Sequence, residues 1–196
     1  AVAPLDVVVV MDPIESIKPA KDSSFAMLLE AQRRGHRLHY VRPGGLSVSG
    51  ARAVATVAPL GVRDQANEHF ELGAWSRLEF GPGQVVLMRK DPPVDADYLH
   101  DTQILGMARL QGALVVNDPQ GLRDFNEKLA TAWFPNFSPP TLFAADMDAL
   151  KAFHAEHGDV IYKPIDGMGG RGIFRIKPDG LNLCSVIEQL SDYGRQ

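Results

Sequence analysis

With 196 residues the chain has room for one large domain or two small ones, and its 45% hydrophobic against 22% charged residues is the balance of an ordinary soluble protein with a sizeable core. A formal net charge of -4 excludes broad nucleic-acid binding, which needs a net basic face to displace counterions, so local positive charge is expected to serve a small anionic ligand. No apolar run approaches the ~18 residues of a membrane span, and the single cysteine, Cys184, leaves no internal disulfide and no cysteine-cluster zinc site.

Cys184 reads as a core residue in a reducing compartment. The chain enters a strand almost at once, leaving no room for the basic, apolar and small-residue regions of a signal peptide, and the expected location is the cytoplasm. Leu5 to Met11 holds four consecutive valines and reads as a buried, parallel strand. Ligands collect beyond the C-terminal ends of such strands, which makes Asp12 and the segment from Ile14 to Ser24 site candidates by position, against the plainer reading of a solvated loop. Asp22 or Ser23 can cap a helix to about Arg34, with Gly35 as its stop, and a second strand follows over Arg37 to Val41. From Leu46 to Val62 small and β-branched residues alternate around Ser49-Gly50, which suggests a β-ribbon. The stretch from Ala66 to Gly83 has no pattern that places it.

Gln84 to Met88 is the next strand, and it runs into Arg89-Lys90-Asp91-Pro92-Pro93, where two prolines stop the backbone. Arg89 and Lys90 thus stand at a strand end, where a guanidinium fork can grip a carboxylate at two points. A structural salt bridge from Arg89 to Asp91 or Asp12 is the open alternative. Asp95 to Gln111 has the cap and spacing of a helix, with Asp95 and Asp97 as cap or surface carboxylates, and Ala113 to Val116 is another buried strand. Strands alternating with helices imply a mostly parallel sheet covered by helices. Further on, Asn126 can cap a helix containing Lys128, Leu129 and Trp133; Thr141 to Phe143 reads as a short strand, Asp146 to His157 as an amphipathic helix and Asp159 to Lys163 as a strand. His154 and His157, three apart, have metal-ligand spacing, but without a partner elsewhere a solvated helix face is the stronger reading. Leu183 to Leu190 reads as the last helix.

The most informative stretch is Lys163-Pro164-Ile165-Asp166-Gly167-Met168-Gly169-Gly170-Arg171-Gly172. Glycine permits positive φ and close backbone approach, so successive N–H groups can converge on an anion. The G-x-G-x-x-G spacing of Gly167, Gly169 and Gly172 is followed by the β-favouring Ile173 to Ile176, not by a helix, which disfavours a dinucleotide turn and favours a hairpin lid over phosphates. A flexible hairpin tip with no ligand is the alternative. Lys128 and Lys163 each precede this cradle at an element boundary, within reach of phosphates. No Walker A and no G-x-S-x-G pattern occurs.

Four blocks, MDPIESIKPAKDSSFAMLLEAQRRGH, VVLMRKDPP, GLRDFNEKLATAWF and KPIDGMGGRGIFR, in this order and spacing, resemble the prokaryotic glutathione synthetases, members of the ATP-grasp ligases. The resemblance spans essentially the whole chain. It implies an α/β fold: an N-terminal, mostly parallel sheet with flanking helices that binds substrate (1–122), then the first part of an α+β ATP-grasp domain with its glycine-rich lid (123–196), the C-terminal ATP-grasp half being absent. The implied reaction is ATP-dependent ligation of γ-glutamylcysteine to glycine through an acyl phosphate, with Mg²⁺, or Mn²⁺ in its place. By the resemblance, Lys128 and Lys163 hold the α/β-phosphates, and Gly167, Met168, Gly169 and Gly170 cover the β/γ-phosphates. Asp12, Ser23, Ser24, Arg89, Lys90 and Asp91 face the dipeptide. No metal ligand and no certain catalytic residue is expected in this chain, which as it stands should not turn over by itself; a homotetramer is the family's usual assembly. The alternatives are another ATP-grasp carboxylate-amine ligase, a non-catalytic nucleotide-binding or thiol-peptide-binding module, and a purely structural partner protein.

Overall fold

The structure, a computed structural model, describes residues 3–194. The chain divides into two compact units, Ala1–Asp124 and Phe125–Gln196, and each has its own buried core.

The first unit runs β1 (Asp6–Val10), α1 (Ser23–Arg33), β2 (Arg37–Val41), β3 (Leu46–Ser49), β4 (Arg52–Val62), β5 (Phe70–Leu72), β6 (Ser76–Glu79), β7 (Gln84–Met88), α2 (Ala96–Leu110), β8 (Leu114–Val116) and α3 (Pro119–Asp124). The valines make β1 the central strand, because only a strand covered on both faces is apolar at every position. Val8 and Val10 join the core that contains Tyr98, Leu105 and Ala108 of α2, while Val7 and Val9 join the core that contains Phe25 and Leu28 of α1. β1 pairs in parallel with β2 and β7, and β7 in parallel with β8. Asp22 caps α1, its side chain accepting from the Phe25 N–H, and Asp95 caps α2 in the same way through Tyr98.

The sheet as a whole is mixed. Its order is β3-β4-β2-β1-β7-β8, and the eleven-residue β4 pairs antiparallel with β2, β3, β5 and β6. The expected ribbon from Leu46 to Val62 is therefore present, and its tight turn, with Gly50 at φ 61°, enforces the antiparallel direction that a parallel crossover of a dozen residues would not. The stretch from Ala66 to Gly83 supplies β5 and β6, short strands that exist because β4 is long enough to be lined by both.

The second unit holds two 3-10 turns, Leu129–Trp133 and Pro135–Phe137, then α4 (Met147–His157), β9 (Val160–Tyr162), β10 (Phe174–Ile176) and α5 (Leu183–Leu190). β9 and β10 form an antiparallel pair with Tyr162 opposite Phe174. Val160, Tyr162, Ile176, Val186 and Ile187 are buried against Met147, Leu150 and Phe153 of α4.

Five expectations change here. The strand expected to be buried over Ala113 to Val116 is β8 at the sheet edge, with Leu114 and Val116 exposed. Thr141 to Phe143 is not a strand, since no described segment pairs with it. Asn126 does accept from the N–H groups of Lys128 (2.9 Å) and Leu129 (3.2 Å), but the element it opens is a five-residue 3-10 turn, cut short before Pro135. Cys184 is exposed, because Leu183, Val186, Ile187 and Leu190 take the inner face of α5. His154 is buried and pairs through Nε2 with the Lys177 carbonyl at 2.9 Å, while His157 stacks on Phe153 with ring centroids 4.3 Å apart. Among the described residues no three His, Cys, Asp or Glu side chains are grouped to hold a metal ion, and no helix is long and apolar enough to cross a membrane.

Candidate functional site

Each unit contributes its own candidate region. In the first, Val10 of β1 lies opposite Met88 of β7, so the residues after both strands leave the sheet side by side. The Arg89 N–H donates to the Val10 carbonyl at 2.7 Å and extends the ladder by one residue. Beyond it, the Asp91 N–H donates to Asp12 Oδ2 at 2.7 Å. Successive side chains of a strand point to opposite faces, and the two cations obey this. Arg89 turns toward α1, where its Nε donates to Ser24 Oγ at 2.7 Å; Lys90 turns toward α2, where its Nζ meets Asp101 Oδ2 at 2.9 Å.

The two basic residues are therefore not equivalent. Lys90 and Asp101 have side chains only 15% and 12% exposed and neutralise each other inside the unit. Arg89 makes no ion pair among the described residues, so neither Asp12 nor Asp91 takes its charge. Its terminal nitrogens make no hydrogen bond among the described residues. The Asp91 carboxyl is pushed above its ordinary range by burial and by the carboxylates of Asp12 and Asp22, with Arg89 pulling the other way. Ser24 is buried at 6% exposure, whereas Ser23 is exposed and its side chain makes no hydrogen bond among the described residues.

In the second unit, the loop between β9 and β10 carries the glycines. They divide into two kinds. A Cβ on Gly167 would lie 2.6 Å from Pro164 Cγ, and one on Gly172, at φ 67°, would lie 3.2 Å from Pro164 Cδ, so these two allow the loop to fold tightly on Pro164. A Cβ on Gly169 or Gly170, at φ 62° and 76°, would meet nothing within 4 Å, and the two form an open tip of bare backbone. Met168 is exposed, and its carbonyl accepts from the Arg171 N–H in the tip turn. Lys128 holds the base of the loop: its Nζ donates to the carbonyls of Gly167 (2.6 Å) and Ile165 (3.0 Å) and reaches Glu127 at 3.2 Å. Asn126 Nδ2 adds a contact to the Ile165 carbonyl at 3.3 Å. Lys163, at the start of the loop, is exposed.

Lys128 and Lys163 also border a cavity of about 670 Å³ whose walls include Leu142, Phe143, Phe153 and Ile161. A mostly apolar cavity bordered by two lysines has the chemistry to take a ligand with an apolar part and an anionic part. Asp101 and the loop-tying role of Asn126 were not visible in the sequence. Asp101 had no signal, while Asn126 showed only its capping chemistry.

Residues 5–123 match the family model for the prokaryotic glutathione synthetase N-terminal domain, and residues 127–196 match the model for the prokaryotic glutathione synthetase ATP-grasp domain. The glutathione synthetase of Xanthomonas campestris pv. campestris is 65% identical over 192 residues, covering 98% of this chain and 61% of its own length. That of Xylella fastidiosa strain 9a5c is 56% identical over 192 residues, with 98% and 61% covered. This chain thus spans about 61% of the length of these relatives. The crystal structure of D-alanyl-alanine synthetase A from Vibrio cholerae aligns with a TM-score of 0.53 at 12% identity, covering 98% of this chain and 57% of that one, a likeness of fold.

Proposed function

This chain belongs to the prokaryotic glutathione synthetase family, and from that premise we propose that it supplies the dipeptide side and the phosphate loop of an ATP-dependent ligase joining γ-glutamylcysteine to glycine. The observation that carries the dipeptide side is Arg89: a guanidinium fixed at Nε, at a strand end, with no ion-pair partner among the described residues. A planar fork so held matches a carboxylate.

In the proposed reaction an oxygen of the cysteinyl carboxylate attacks the γ-phosphorus of ATP, and the bond from that phosphorus to the bridging oxygen breaks, releasing ADP. The glycine nitrogen then attacks the acyl carbon, the carbon–oxygen bond to phosphate breaks, and the amine gives up a proton. Positioning and charge neutralisation dominate such chemistry. Lys163, exposed at the loop's start, supplies a cation to the phosphates. Lys128 gives two of its three N–H donors to the carbonyls of Ile165 and Gly167 and the third to the exposed Glu127, so its ammonium reaches a phosphate by exchanging the Glu127 contact while keeping its hold on the loop. Gly167 to Gly170 cover the phosphates with backbone N–H groups. In this reading Mg²⁺, or Mn²⁺, would supply neutralisation of phosphate charge. A cytoplasmic homotetramer completes the proposal, and sedimentation of the purified protein checks the assembly.

The test is ADP release by the protein as its gene encodes it, with γ-glutamylcysteine present and glycine varied. Glycine-dependent release supports the ligase. ATP binding without dipeptide-dependent release would favour a nucleotide-binding module instead.

A further inference from the structure

Resting on the reading of Arg89 as the partner of a dipeptide carboxylate, we propose that Ser24 and Asp12 are positioning residues that aim Arg89 and do not themselves touch the substrate. Ser24 is at 6% exposure, on a helix fixed by the Asp22 cap and by Phe25 and Leu28, which are 1% and 0% exposed. Its hydroxyl is therefore a rigid acceptor turned to the protein and not to solvent. A guanidinium has five N–H donors in a flat fork. With Nε committed to Ser24 at 2.7 Å, the side chain is locked in rotation and presents its two terminal nitrogens together.

Asp12 fixes the backbone from which Arg89 projects. Its Oδ2 accepts the Asp91 N–H at 2.7 Å, and its carbonyl accepts the Tyr40 hydroxyl at 3.3 Å, so one residue ties together the ends of β1, β2 and β7. The two residues after Asp91 are prolines without N–H groups. The Asp91 N–H is thus the last donor by which this turn can be held, and Asp12 holds it. A carboxylate committed in this way acts as a hydrogen-bond acceptor; its negative charge is not what the turn needs.

That distinction makes the proposal testable in the full-length enzyme by steady-state kinetics with each substrate varied. Ser24→Ala is expected to raise the γ-glutamylcysteine KM about tenfold, with kcat and the ATP KM within about twofold of wild type. In an Arg89→Ala background the same change should add nothing, because nothing remains to be aimed. Asp12→Asn, which keeps an acceptor for the Asp91 N–H, should stay within about twofold of wild type, while Asp12→Ala should raise the dipeptide KM about tenfold. An unchanged KM in Ser24→Ala, an equal rise with and without Arg89, or Asp12→Asn as damaging as Asp12→Ala would each overturn the proposal, the last two by pointing to direct substrate contact. A wild-type enzyme without dipeptide-dependent ADP release is a separate result, and it would overturn the ligase reading together with the proposal.

Discussion

The turn after β7 and the glycine loop after β9 are both strand-end sites, yet they are built on opposite principles. Arg89 is held by a buried hydroxyl on a helix, by its own N–H to Val10 and by an Asp12–Asp91 bond two residues on, all at 2.7 Å. The glycine loop has an open tip of bare backbone and a base tied to Lys128 and Asn126 through backbone carbonyls. The first arrangement fixes the direction of a charge, which in the proposed reading meets a small ligand of fixed shape. In the proposed reading the second leaves bare backbone free to wrap a larger anion.

The largest effect expected from breaking this contrast is at Lys163. If Lys163 holds the phosphates as proposed, Lys163→Ala should lower kcat/KM for ATP by about a hundredfold or more, while the thermal midpoint stays unchanged because the side chain is exposed. Unchanged ATP kinetics would take the phosphate role from Lys163. A smaller, purely structural effect is expected at Gln111. Its amide accepts from the Ala53 N–H at 2.6 Å and donates to the Ala53 and Phe80 carbonyls, tying the end of α2 to β4 and the turn after β6. Gln111→Ala removes the side-chain partner of the Ala53 N–H and of the Phe80 carbonyl, while the Ala53 carbonyl keeps the Phe80 N–H at 3.4 Å, and should cost about 1–3 kcal/mol in chemical denaturation with both KM values intact. A shift in the dipeptide KM would mean that the strand-end site is less insulated from the sheet than its bonds suggest.

The smallest effect concerns pH. The Asp6 carboxyl, at the other end of β1, is held at about 2, against an ordinary 3.8, by the Arg37 guanidinium, with burial opposing and His39 assisting. A depressed carboxyl stabilises the fold above its unfolded value and loses that contribution as pH falls toward its folded one. Stability should therefore drop between pH 3.8 and about 2, by on the order of 1 kcal/mol from this group after solvent screening, and Asp6→Asn should flatten that part of the melting curve. An Asp6→Asn curve that parallels wild type would remove Asp6 as the cause.

Much of the frame was legible because its signals are local. The valines of β1, the aspartate caps of α1, α2 and α4, and the prolines after Asp91 act within a few residues of themselves. The features that escaped depend on partners distant in sequence. β5 and β6 are drawn into strands by β4, and Thr141 to Phe143 stays irregular for want of such a partner. The inward turn of Lys90 depends on Asp101 one helix away, which is why two adjacent cations look alike in sequence and differ in the fold. Spacing alone makes His154 a solvated residue, but the Lys177 carbonyl 23 residues later gives its ring a buried partner. In the glycine loop Gly169 and Gly172 take the positive φ that their spacing suggested, but Gly167 does not and Gly170 does, and the hold of Lys128 on two loop carbonyls had no sequence signal.

The assignment of the two regions to two different substrates is tested most directly by Arg89→Ala in the full-length enzyme, with γ-glutamylcysteine and ATP each varied against a saturating partner. Loss of a bidentate charged contact should raise the dipeptide KM by roughly 10- to 100-fold and leave the ATP KM near wild type. Equal increases in both, or a change confined to ATP, would contradict the assignment and move Arg89 off the dipeptide carboxylate.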